Sequence, residues 1–354
     1  MIPVNIRFYL KVFLINLFLI FFVILIIELI FGNWLKTNNY GNIIIPRYVT
    51  NIINDPPYKS NISGIYSRDK YGFRANHHEL KDINILVIGG STTEERDVDD
   101  KLIWTKVLEN NLSDYNRYKV LNAGIGGQTS FGHVKIFNLW FSRFEKLQPN
   151  IIFFYIGIND TLFMLESIKH KNHIFQGRVI KSINRDNIVY ENILDNTVQY
   201  IKNNSSIHLL YLVLRGNYIS RKYKVNYNNI NTFDLPKVYI EDISTNINTE
   251  EKNFSFYLEA YENNLNTLIQ LTKKYNAKPV FITQKIAKDH WLMKYISLIN
   301  KRTIKFCVDN NVSFIDLENI IKFDDLKDLY DGIHTTPSGS KKVGYLISEY
   351  IISN

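Results

Sequence analysis

The stretch ILVIGGSTTEE, residues 85–95, carries four apolar residues into two glycines, then a serine, two threonines and two acids. A short continuous apolar run of this kind reads as a strand covered on both faces. The glycine pair marks a tight turn, and the residues after it can open a helix. Such a turn can hold a phosphate, present a nucleophile, or do neither, so the rest of the chain has to decide why Ser91 is displayed there.

Working outward, short apolar runs recur at 83–90 (INILVIGG), 118–124 (YKVLNAG), 151–157 (IIFFYIG), 278–284 (KPVFITQ) and 312–317 (VSFIDL). Helical patterns lie between them at 103–113, 129–147, 254–276 and 290–309, and a last helix is expected at about 338–352. Strand alternating with helix predicts an α/β fold with a doubly wound parallel sheet. Right-handed crossovers then place all the strand C-termini, and the loops after them, along one edge.

Four of those loops carry chemistry. Gly90-Ser91 follows the first strand, NAGIGGQTS (122–130) the second and GIND (157–160) the third, and DLYDGIHTTPSGSKK (328–342) lies shortly after the fifth. Together they supply a hydroxyl, glycine amides, a side-chain amide, a carboxylate and an imidazole. Acyl transfer needs these parts. A serine hydroxyl attacks only if a base takes its proton, which His334 can do, and Asp331 can fix the imidazole tautomer from three residues away. Negative charge developing on the carbonyl oxygen needs preorganised donors, for which the Ser91 and Gly127 N–H groups and the Asn159 amide are available. Each loop alone has a plain structural reading: a turn at 124–127, a cap at Asn159, a solvated Asp and His at 331 and 334. Four in order, each after an expected strand, are hard to explain as turn chemistry.

In these blocks the chain resembles the SGNH (GDSL-type) hydrolases over roughly residues 82–352. Ser91 matches the family's nucleophile, Gly127 and Asn159 its oxyanion residues, and Asp331 and His334 its D-x-x-H block. The resemblance implies a three-layer α/β/α sandwich on five parallel strands, of the flavodoxin-like kind, and an esterase that needs no metal or organic cofactor. Gly90 departs from the pattern, standing where many members have Asp. DKYGFR (69–74) is similar to a segment of membrane-anchored or exported bacterial members.

Other motifs lead elsewhere or nowhere. GGSTTEE lacks the spacing of a phosphate-binding P-loop, and NAGIGG is not the dinucleotide fingerprint. HKNH (170–173) has no carboxylates at useful spacing for a metal. The acids Glu94, Glu95, Asp97, Asp99 and Asp100 read as a solvated loop and helix start, and Asp160 as a structural hydrogen-bonding partner. Cys307, the single cysteine, excludes an intramolecular disulfide and a Cys-based metal site, and reads as a buried inert thiol.

The amino end differs from the rest. Residues 12–31 (VFLINLFLIFFVILIIELIF) are apolar except for Asn16 and Glu28, and at ~1.5 Å per residue they match the ~30 Å hydrocarbon core of a bilayer. No A-x-A-like cleavage signal follows, and Trp34 and Lys36 suit the far interface, so an uncleaved anchor is expected. Arg7 and Lys11 before the span and Lys36 and Arg47 after it bias orientation only slightly. The signal-anchor form favours a catalytic domain on the non-cytoplasmic side.

These readings divide the chain into an anchor (1–36), a connector (37–81) ending in a small hairpin near YSRDKYGFRAN, and a hydrolase-like domain (82–354) with an insertion at about 160–253. The formal charge of +8 is spread without a dense basic block, so no nucleic-acid partner is expected, whereas anionic headgroups or acidic glycans are compatible. The expected function is a membrane-anchored serine esterase removing O-acyl, above all O-acetyl, groups from a carbohydrate. Two alternatives use the same fold: an O-acyltransferase acting on a surface glycan, and a catalytically silent glycan-binding protein.

Overall fold

The computed structural model describes residues 4–32, 34–35, 45–58, 63–116, 118–169, 201, 204–208, 210–211, 214 and 247–353. Most of the insertion expected at 160–253, including HKNH and its Tyr- and Asn-rich loop, lies outside these residues, as does Lys36. The chain divides into two compact units: residues 1–42 with 186–230, and residues 43–185 with 231–354.

The first unit is built on helix α1 (Val4–Phe31). An 18-residue window within Ile6–Phe31 has a mean hydropathy of 3.0, and the helix is long and apolar enough to cross a membrane. Large apolar side chains such as Phe13, Phe18, Phe21 and Ile30 are exposed around it, a surface that water does not favour. Glu28, the acid in the span, is fully engaged. Its carboxylate accepts from Trp34 Nε1 at 2.7 Å, Ser205 Oγ at 2.7 Å, Ser206 N at 3.0 Å and Ile207 N at 3.1 Å.

In the second unit, strands β1 (Val49–Ile53) and β2 (Gly64–Arg68) form an antiparallel pair. Then follow β3 (Ile85–Gly89), α2 (Ser91–Glu94), α3 (Trp104–Asn116), β4 (Val120–Gly124), α4 (Ser130–Leu139), β5 (Ile151–Tyr155) and α5 (Ile158–Lys169). The described chain resumes with α6 (Ile247–Lys273), β6 (Lys278–Ile282), α7 (Met293–Asp309), β7 (Ser313–Ile315), the single turn α8 (Leu317–Ile320) and α9 (Pro337–Ser353). Strands β3 to β7 make one parallel sheet in the order β4-β3-β5-β6-β7. This is the doubly wound arrangement expected, with the order reversing beside β3.

Both faces of the sheet are covered, which is why the strands read as unbroken apolar runs. On one face Ile85, Val87, Phe153, Tyr155, Val280 and Ile282 pack against Trp104 and Leu108 of α3 and Val343 and Ile347 of α9. On the other, Phe154 stacks on Phe281 at 4.9 Å and meets Phe137 of α4. Each such fully buried side chain contributes about 1.5–3 kcal/mol. The helix expected over 129–147 is shorter than its pattern: α4 stops at Leu139 and a 3-10 turn takes Phe141–Arg143. Aromatic packing explains the break, because Trp140 and Phe141 both turn inward onto Phe73.

The connector is tied into the sheet. Asp69 accepts the Tyr71 and Phe73 N–H groups with its side chain, closing the turn of DKYGFR. Arg74 then bridges to Asn122, so the segment adds a short antiparallel contact to the sheet edge.

Candidate active site

At the end of β3 both glycines are closely approached, Gly89 by backbone and a short side chain and Gly90 by the end of the Asn159 side chain. A Cβ on Gly89 would lie 2.1 Å from Thr93 Oγ1 and 2.7 Å from the Tyr155 carbonyl. One on Gly90 would lie 2.6 Å from Asn159 Nδ2. The chain can therefore turn directly into α2, whose first residue is Ser91. The helix lasts one turn and ends on Glu95 in the left-handed conformation (φ 47).

His334 stands over that serine. Its Nε2 is 2.8 Å from Ser91 Oγ, and its Nδ1 is 2.6 Å from Asp331 Oδ2. The three-residue spacing has a local cause. Asp331 Oδ1 accepts the backbone N–H groups of Ile333 and His334, closing an Asx-type turn at Gly332 (φ 82), which leaves Oδ2 free for the imidazole. Burial raises the Asp331 carboxyl, but the His334 hydrogen bond and charge outweigh it and hold the group below the usual carboxylate range. Tyr330 lies flat against the imidazole, ring centroids 5.6 Å apart, and its hydroxyl donates to Asp97 Oδ2 at 3.0 Å. Behind it, Tyr58 from the connector donates to the Asp97 carbonyl at 2.8 Å.

The second and third loops border the same serine. A Cβ on Gly126 would be 3.9 Å from Ser91 Cβ. Gly127, the next residue, is exposed and has φ +76, a conformation that suits glycine. Asn159 Nδ2 donates to the Gln128 carbonyl at 3.1 Å, which leaves its second amide hydrogen without a partner among the described residues. Asp160 secures this corner from behind: it accepts the Ser130 N–H at 2.9 Å and the Ser130 hydroxyl at 2.6 Å. Burial pushes Asp160 up to about 6. No cluster that could hold a metal occurs among the described residues.

The expectation that the acids after Ser91 are solvated is wrong for most of them. Glu94, Glu95 and Asp100 are buried. Glu94 pairs with Arg68 at 2.9 Å, accepts the Tyr66 hydroxyl at 2.9 Å and takes the Gly126 N–H at 2.8 Å. Burial raises the Glu94 carboxyl, but Arg68 outweighs it and keeps the group ionised. Glu95 faces the opposite way, accepting the Trp104 N–H at 2.6 Å and the hydroxyls of Thr335 and Ser340. Its complete burial pushes it up to about 7, against those hydrogen bonds. Arg74, also buried, donates to the carbonyls of Glu94 and Val98 and pairs with Asp100. Two adjacent acids thus tie the Ser91 turn to the Gly126 loop on one side and the His334 loop on the other. Their partners in the connector are what the sequence reading missed. The available signal was two arginines, 68 and 74, ahead of an acid-rich turn.

Residues 87–342 match the family profile of the GDSL-like lipase/acylhydrolases, and the chain belongs to that family. As a member it is a hydrolase acting on ester bonds. Similar solved structures include a GDSL-like lipase from Bacteroides thetaiotaomicron VPI-5482 (13% identity, TM-score 0.39), covering 78% of this chain and 92% of that one. A psychrotrophic esterase from Pseudoalteromonas sp. is also similar (14% identity, TM-score 0.42, 77% and 100% covered). A third is an acetylxylan esterase from Geobacillus stearothermophilus (13% identity, TM-score 0.42, 76% and 94% covered). A comparison with curated proteins gives no match.

Proposed function

We propose that the protein is a membrane-tethered serine esterase that removes small O-acyl groups, above all acetyl, from a carbohydrate. The observation that carries the catalytic part is the continuous hydrogen-bonded line from Asp331 through His334 to Ser91 Oγ. In this reading Ser91 Oγ bonds to the acyl carbon while its proton passes to His334 Nε2, and the Asp331 carboxylate stabilises the imidazolium. The Ser91 and Gly127 N–H groups and the Asn159 amide receive the oxyanion. Collapse expels the alcohol, which takes the proton from His334. Water, deprotonated by His334, then attacks the acyl-enzyme and releases the acid and free Ser91. No cofactor enters these steps.

The substrate part rests on the surroundings. Gly126 is exposed beside the serine, with the exposed Gly127 following it, and the exposed guanidinium of Arg96 borders Gly126. An entrance of this kind favours a short acyl group on a hydrophilic carrier over a long acyl chain. Helix α1 is the proposed tether, with the catalytic domain on the non-cytoplasmic side.

Transfer to a glycan hydroxyl would use the same acyl-enzyme. The deciding experiment incubates purified protein with an acetyl donor and a glycan acceptor and measures free acetate against acetylated glycan. Free acetate as the main product supports the esterase, and acetylated glycan supports the transferase. Neither product would return the fold to a binding role.

A further inference from the structure

The space above Gly126 is bordered by more than the nucleophile. A methyl group built there would lie 2.8 Å from Glu94 Oε2, the buried carboxylate beneath, and 3.9 Å from both Ser91 Cβ and Arg96 Nη2. The Arg96 side chain is 66% exposed, and among the described residues its only ion partner is Glu94, at 3.6 Å. That carboxylate is already engaged by Arg68, Tyr66 and the Gly126 N–H, all within 2.9 Å. The neighbouring acid in the chain is committed as well: Asp97 Oδ2 accepts the Tyr330 hydroxyl. The exposed Arg96 guanidinium therefore stands beside the Ser91–Gly126 rim, with no hydrogen bond among the described residues, and its fork of five N–H donors is suited to recognise a carboxylate or phosphate bidentately.

We propose that Arg96 forms an anion subsite, so that the ester is carried on an acidic glycan whose carboxylate or phosphate lies a few ångströms from the scissile acyl group. The proposal rests on the esterase reading of Ser91. It explains why a charged side chain stands at the rim of a site whose chemistry needs no cation there: the guanidinium orients the carrier, while the serine, imidazole and amides act on the ester.

The test uses three mono-O-acetylated methyl glycosides alike except at C6: glucoside, glucuronide and glucoside 6-phosphate. The full-length protein is expected to favour at least one anionic substrate over the neutral one by about tenfold in kcat/KM at low salt, the preference shrinking as salt screens it. Which anion is favoured identifies the group. In Arg96→Gln the anionic-to-neutral ratio should fall to near one, and in Arg96→Lys only part of it should return, because an ammonium keeps the charge and loses the fork. No preference in the wild type, or an unchanged ratio in Arg96→Gln, overturns the subsite, including the case in which that variant slows all three substrates equally. Ser91→Ala, assayed alongside, separates the levels. If it is inactive, such a result removes the subsite alone, whereas turnover by Ser91→Ala removes the esterase reading beneath it.

Discussion

The Glu95 carboxylate accepts the Thr335 hydroxyl across 240 residues of sequence, joining the end of the serine turn to the residue that follows His334. The same carboxylate accepts the Ser340 hydroxyl, which belongs to α9 and not to the histidine loop. The two bonds therefore have different consequences. Thr335→Val is nearly isosteric and should lower kcat about tenfold, or ~1.4 kcal/mol, with KM for a small activated ester unchanged. Ser340→Ala should act mainly on the thermal midpoint. Steady-state kinetics with thermal melts on both variants check this, and wild-type kcat in Thr335→Val would show that the clamp does not position His334.

Asp331→Asn keeps the shape of the turn but changes what faces the imidazole. The 2.6 Å contact to His334 Nδ1 would no longer be a carboxylate able to hold the N–H tautomer and stabilise the imidazolium. A fall in kcat of roughly a thousand- to ten-thousand-fold is expected, with the fold retained by circular dichroism. A loss of less than tenfold would assign proton transfer to another group.

Gly90 tests the oxyanion role proposed for Asn159. Its φ of −85 is open to any residue, so Gly90→Ala should fold, but the new methyl would displace the Asn159 amide. A loss of roughly a hundred- to a thousand-fold in kcat is expected, the cost of one oxyanion donor. Introducing Gly90→Ala into Asn159→Ala should add little further loss, because the two act through one group. Additive effects would place the harm of the methyl elsewhere.

His133 of α4 supplies a pH test of stability. Complete burial pushes its imidazole from 6.5 down to about 3, outweighing the Gln128 backbone, which acts the other way. Above 6.5 neither the folded nor the unfolded chain holds this proton. As pH falls from 6.5 toward 3 the unfolded chain takes it up and the folded chain refuses it, so stability is lost at up to about 1.4 kcal/mol per pH unit. Urea midpoints of the wild type should fall relative to His133→Gln across this window. Parallel curves would mean that the group is not buried in neutral form.

The five strands and their common edge could be read from the sequence because both faces of each are covered, which leaves apolar runs ending in Gly89, Gly124 and Gly157. Ser91 and Asn159 were nameable because each follows such a run, and Asp331 and His334 because their three-residue spacing has a local meaning. What could not be read was burial decided by distant partners. Glu94 looks solvated until Arg68 and Tyr66 arrive from the connector, and Glu95 until Thr335 and Ser340 arrive from the other end of the chain. The early end of α4 depends likewise on Phe73, more than sixty residues upstream. Periodicity within a segment carries no trace of such contacts.

The catalytic role of Ser91 is tested most directly by a fluorophosphonate probe on the purified full-length protein, with the labelled residue located by peptide mass spectrometry. The account predicts one adduct, on Ser91, with loss of ester turnover in step with labelling and no adduct in Ser91→Ala. Full turnover by protein labelled at Ser91, or labelling at another serine that accounts for the lost activity, would contradict it.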